Sequence, residues 1–243
     1  MMVADQFRPH TFVDAFRFMA DNQHLLFRDK MVGHLELSAI AIVVSLVVAI
    51  PLGVVLGHLH RGSFLAINLS NILRALPSLA AIAIGIGIFG LGTKNVTFAL
   101  VVLAAPPMLT NAYVAVDGVD RGVIEAARGM GMKPWQVLMR VELPLALPLI
   151  FAGIRTSVVF VVATATLGAF VGGGGIGDII VNQASYGLEG VIAASLVIAA
   201  LAFAADFAFG GLQRLMTPRG LRTRVPSLEP DISTAWLAEA PTA

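Results

Sequence analysis

Three ionisable side chains interrupt stretches that are otherwise apolar: Arg74, Arg155 and Asp206. A charge in hydrocarbon is costly, so such residues either brace one helix against another or face a water-filled path. Arg155 and Asp206 lie at similar depth in their runs and pair if the two runs face each other. Arginine repels a cationic solute, so for such cargo these side chains read as gates or braces rather than ligands. Nucleophilic chemistry is poorly provided for. There is no cysteine, and Ser38, Ser45, Ser78, Ser157 and Ser195 have no histidine to activate them in any apolar run after the first. His58 and His60 could touch a metal, yet an isolated pair in a short polar turn reads as surface. Gly85–Gly90 and Gly172–Gly177 match the dinucleotide pattern GxGxxG, but neither follows a strand in a βαβ unit, and packing or hinge roles suit them better. No GxxxxGKS or GxxxxGKT stretch exists, so the chain has no phosphate loop for ATP.

Membrane helices must position these residues. Of 243 residues 57% are hydrophobic and only 13% charged, with a mean hydropathy of +0.85. A soluble domain is about one quarter charged, so this is an integral membrane protein. A net charge of +1 argues neither for nucleic acid nor for an acidic partner, and no nucleic acid is expected. The first thirty residues lack the pattern of a signal peptide.

The apolar runs predict an all-α polytopic bundle. Residues 1–30 form an interfacial segment whose 11–20 stretch is weakly amphipathic and lies at the membrane surface. Spans follow at 33–57, 64–90, 97–116, 144–170 and 190–212, with a polar tail over 213–243 whose end reads as disordered. Gly53 and Gly57, four apart, suit a helix-packing face. The second run is about 40 Å long at the helical rise, more than the hydrocarbon thickness. Arg74, Ala75, Pro77 and Ser78 fall inside it, so the span breaks there and turns its freed backbone toward protein or water. Splitting that run at Pro77 would make six spans; five is the reading taken. Lys and Arg placement then puts the central loop and the C-terminus in the cytoplasm, with Arg61, Arg121, Arg128, Lys133 and Arg140 on that side and only Lys94 between the second and third spans. The arginines and lysine of residues 1–30 sit awkwardly on the outside.

The central loop, 122–144, is the longest polar stretch apart from the two tails. Val123, Ala126, Ala127 and Met130 share one helical face, small at its centre, suited to close docking by another protein. Gly129 and Gly131 allow a turn with positive φ, and Pro134 opens a second short helix that Leu143-Pro144 closes.

Glu125-Ala126-Ala127, then Gly131, then Val141-Glu142-Leu143-Pro144 resemble the EAA signature of ABC-importer permease subunits, with valine where the family has isoleucine. Leu73-Arg-Ala-Leu-Pro-Ser-Leu79, Gly153-Ile-Arg-Thr-Ser157 and the stretch from Thr166 to Asp178 are similar to permeases for glycine betaine, choline, carnitine and related osmoprotectants. The resemblance implies a type I importer transmembrane domain over 31–212, not itself an enzyme. Its loop, through Glu125, Ala126, Ala127, Gly131, Val141, Leu143 and Pro144, would couple to a separate ATPase that holds ATP and magnesium. A second permease subunit, a solute-binding protein outside the bacterial inner membrane and lipid complete the partners. Arg74, Ala75, Pro77, Ser78, Asn111, Arg155 and Asp206 are the candidates for pathway or gate. Trp135 and Trp236 both lie in the cytoplasmic segments, so no aromatic cage for quaternary ammonium is visible, and specificity is expected in the binding protein. An importer for another small solute, such as an amino acid, is the alternative. A secondary transporter is disfavoured by the odd span count and the lack of internal repeats.

Overall fold

The computed structural model describes residues 11–217; the end of the expected tail and the first ten residues lie outside them. Nine helices run through this region: α1 Thr11–Asp21, α2 His24–His58, α3 Phe64–Ala75, α4 Ser78–Phe89, α5 Thr93–Asp117, α6 Arg121–Gly129, α7 Pro134–Val171, α8 Gly177–Val181 and α9 Gln183–Met216. Among them α2, α5, α7 and α9 are each long and apolar enough to cross a membrane. Helix α5 is the centre. Its most apolar window is 61% buried, against 22% in both α2 and α9, and α2, α3, α4 and α7 all pack on it.

Close approach of α2 to α5 depends on two glycines. A Cβ at Gly53 would stand 2.7 Å from Ala112 Cβ, and one at Gly57 2.8 Å from the Tyr113 carbonyl oxygen, so any side chain there would push the helices apart. Helix α5 is held to α7 by Ser157, whose hydroxyl donates to the Ala104 carbonyl at 2.7 Å. Ser38, Ser45 and Ser195 donate to carbonyls four residues earlier in their own helices, which commits these hydroxyls to the backbone.

The long second run breaks where Pro77 requires it. Leu76 and Pro77 are extended, with ψ of 123° and 137°, and α3 and α4 meet at 96°. Each half has twelve residues, about 18 Å of helix, so neither crosses alone. Ala66 of α3 accepts a hydrogen bond from Thr110 near the end of α5, whereas Phe89 of α4 packs on Phe98 near its beginning. The pair thus runs antiparallel to α5, and counted as one broken span it brings the candidate spans among the described residues to at most five, not six.

Helix α1 is placed in more detail than the sequence allowed, and two further features depart from expectation. Helix α1 packs on α9, its Phe18 ring edge-on to Tyr186 at 6.5 Å, while Phe12 and Phe16 stay exposed. Leu143-Pro144 does not close a short helix; Pro134 to Val171 is continuous. A π-helical turn over Leu138–Glu142 precedes the proline, and this wider turn accommodates a residue that cannot bond to the carbonyl four places back. Helix α9 starts at Gln183, ahead of the expected 190, but bends at Gly187, whose φ of 67° interrupts it.

Candidate functional site

The break between α3 and α4 opens onto a cavity of about 490 Å³ lined by Arg74, Leu76, Ser78, Leu103, Pro107, Asn111, Thr156 and Phe160. Three sequence candidates, Arg74, Ser78 and Asn111, thus meet on one surface; Ala75 and Pro77 flank it without lining it. Asn111 donates to the Pro107 carbonyl at 2.8 Å, and Gly153 makes room for it, since a Cβ there would stand 2.7 Å from Asn111 Cβ. The first main-chain bond of α4 runs from Ala81 to the Pro77 carbonyl, so the N–H groups of Ser78, Leu79 and Ala80 have no partner in their own helix. Leu76 and Thr156 lie within the stretches that carry the resemblance without having been singled out, whereas Leu103 and Phe160 carry no signal in a single sequence.

Arg155 and Asp206 do face each other. Nε and Nη2 of Arg155 each donate to one carboxylate oxygen at 2.6 Å, a two-pronged pair between α7 and α9. Gly210 leaves space for the guanidinium, with a would-be Cβ 3.2 Å from its central carbon. The pair lines a second cavity of about 490 Å³ with Ala152, Val159 and Gln213, and Thr156 belongs to both cavities. Gln213 donates to the Pro148 carbonyl at 2.9 Å, a further tie between the same helices.

The loop between α5 and α7 is an elbow with both ends fixed. Asp120 Oδ1 accepts from the N–H groups of Gly122 at 2.7 Å and Val123 at 3.2 Å, capping α6. At the other end Gly131 has φ of 80°; its N–H bonds to the Arg128 carbonyl, and that of Met132 to the Ala127 carbonyl. That is the Schellman closure, and only Gly131, not Gly129, needs positive φ. Gln136 then accepts from the Lys133 N–H at 2.8 Å to start α7.

The elbow has its own core of Val119, Ile124, Ala127 and Val137, with Val141 and Met132 against it. Ala127 therefore does not join the outward face. Folding α6 back onto α7 requires an inner stripe, and Ile124 with Ala127 supplies it. Val123, Ala126 and Met130 remain exposed, joined by Trp135 and Met139. Glu125 is exposed too, lining a small cavity with Arg121, Arg128 and His60. Leu143 and Pro144 are half-buried, at the junction with the span.

One histidine fastens the elbow region to α2, and a second ties the turn after α2 to the end of α5. His58, at the end of α2, donates from Nδ1 to Glu142 Oε2 at 2.6 Å, and Glu142 is fully buried. His60, with φ of 49°, donates in the same way to Asp117 Oδ1 at 2.8 Å. The surface reading of His58 is thereby corrected: only 16% of its side chain is exposed.

A family model for the inner membrane component of binding-protein-dependent transport systems matches residues 49–219. The chain belongs to this family. The permease is 39% identical over 190 residues to the glycine betaine/carnitine/choline transport system permease protein OpuCB of Bacillus subtilis, covering 78% of this chain and 88% of the relative. It is 38% identical to the choline transport system permease protein OpuBB of the same organism, covering 79% and 89%. A solved structure of the MetNI methionine ABC transporter in inward-facing conformations matches with a TM-score of 0.67 at 22% identity, over 87% of the permease and all of that chain. This likeness establishes the fold: a multi-pass, type I importer transmembrane domain.

Proposed function

We propose that the permease forms one half of the pathway of an ATP-driven importer for osmoprotectants of the kind its relatives are named for: glycine betaine, carnitine and choline. The elbow carries this reading. It is a capped, self-supporting unit that presents Val123, Ala126, Met130, Trp135 and Met139 outward on a chain otherwise made of apolar spans, which suits docking into a groove on a separate ATPase. Glu125, Ala126 and Gly131 serve that contact directly. Ala127 and Val141 serve it from the elbow's core, and Leu143 and Pro144 from the junction with the span. ATP and Mg²⁺ are held by the ATPase. Arg61, Arg121, Arg128, Lys133 and Arg140 cluster at the elbow end, which supports placing that end and the C-terminus in the cytoplasm. A second permease subunit closes the pathway at the broken span, and a solute-binding protein delivers cargo to the opposite end. Vesicles carrying the permease with the ATPase and binding protein of neighbouring genes should accumulate labelled glycine betaine only when ATP is supplied. Uptake that survives removal of the ATPase overturns the proposal.

A further inference from the structure

We propose that the cavity at the break of the second span is a way-station for the carboxylate of a zwitterionic solute, anchored by Arg74. This rests on the importer reading and narrows its cargo to molecules that carry both a quaternary ammonium and a carboxylate. A bare cation is disfavoured.

The starting observation is an unmatched charge. Arg74 ends α3 where the chain unwinds, and among the described residues no carboxylate pairs with it. An arginine at bilayer depth normally has a counter-ion. Arg155 shows how this chain supplies one when the role is bracing, and Asp206 is fully engaged there. Arg74 is also the one charged residue lining its cavity; Ser78, Asn111 and Thr156 are neutral. The side-chain donors of Asn111 and Thr156 bond to carbonyls four residues back in their own helices. The group that this surface lacks is an anion.

The rest of the wall fits the remainder of such a solute. A volume of about 490 Å³ accommodates a small molecule with some water. Phe160, 41% exposed, lines the same cavity with Leu76 and Leu103, an aromatic and two apolar side chains of the kind that suit a trimethylammonium group. The positive end of α4 adds to the sign set by Arg74. Glycine betaine and choline share the trimethylammonium and differ in ending with a carboxylate or a hydroxyl, so they isolate the contribution of Arg74.

The test is the ratio of glycine betaine to choline uptake by the assembled transporter, with its ATPase and saturating binding protein. Arg74→Gln should lower that ratio about ten-fold or more, the factor expected from losing a charge-assisted hydrogen bond, while Arg74→Lys should keep most of it. Ser78→Asp provides the same test without removing the arginine. It places a carboxylate at the start of α4, where helix geometry favours one, and should fill the station and lower the ratio likewise. An unchanged ratio, or equal loss of both solutes in Arg74→Gln and Ser78→Asp, overturns the station. If the unaltered transporter takes up neither solute, the osmoprotectant reading fails as well, an outcome distinct from failure of the station alone.

Discussion

Removing the imidazole of His58 should be the most damaging single change at the elbow. Glu142 is fully buried; its Oε1 has no partner among the described residues and its Oε2 has only His58 Nδ1. His58→Ala therefore strips the Glu142 carboxyl of its remaining side-chain partner and leaves a polar group buried without one. Breaking a buried pair from one side costs about 3–5 kcal/mol. At roughly 2–4 °C per kcal/mol for a chain of this size, the apparent melting temperature should fall by about 6–20 °C. His60→Ala is the internal control. Its pair with Asp117 is about a third exposed on each side, at 32% and 37%, so its loss should cost less than about 1 kcal/mol. Replacing both members of the buried pair, as His58→Leu with Glu142→Leu, should recover most of the loss because no unpaired polar group remains. The assay is thermal unfolding of the purified permease–ATPase complex in detergent. Equal melting of the two histidine variants, or a double variant no better than His58→Ala, would refute this account of the elbow's attachment.

Gly131→Pro should leave the protein in the membrane yet uncouple uptake from ATP hydrolysis, because proline cannot adopt the φ of 80° that closes α6; unaltered coupling, read as solute moved per ATP, would remove the elbow from the mechanism. Gly53→Leu should reduce the yield of folded permease in membranes, since its Cβ alone would meet Ala112 at 2.7 Å, whereas Gly87→Ala, with nothing within 4 Å of its Cβ, should be tolerated. The native chain has no cysteine, so Ser185→Cys should react with an impermeant thiol reagent in whole cells and Arg61→Cys only after permeabilisation; the reverse pattern would invert the orientation.

The spans were legible because apolar runs of this length are set by bilayer thickness, and the break was legible because Pro77 falls beside Arg74 in a run too long for one straight span. The Arg155–Asp206 pair could be anticipated by depth alone, since two opposite charges in apolar runs have few other solutions. What a single sequence hid depended on which way a residue turns within a helix. Ala127 and Ala126 are adjacent and identical, yet one faces the elbow core and the other faces out, a choice made by the fold of α6 onto α7. The partnership of His58 with Glu142 spans 84 residues and has no local signature. Phe160 and Thr156 join the cavity only because α7 lies across the break. The continuity of α7 was obscured by treating Pro144 as a stop, when a π-helical turn lets a proline pass.

That continuity makes α7 a lever. Its 38 residues span roughly 57 Å at the helical rise, with Trp135 at one tip and Val171 at the other. The contact with α5 through Ser157 acts as the fulcrum. Ser157 lies about 33 Å along the helix from Trp135 and about 21 Å from Val171, so a sideways push of about 3 Å at Trp135 reappears as about 2 Å in the opposite sense at the far tip, a tilt of roughly 5°. The far tip bears directly on the exit of the broken span, because the Val171 carbonyl accepts a hydrogen bond from Gly92 at 2.8 Å. If an ATPase docks on the elbow as proposed, its push would reach the opposite end of the broken span through one piece of backbone, bypassing the cargo altogether.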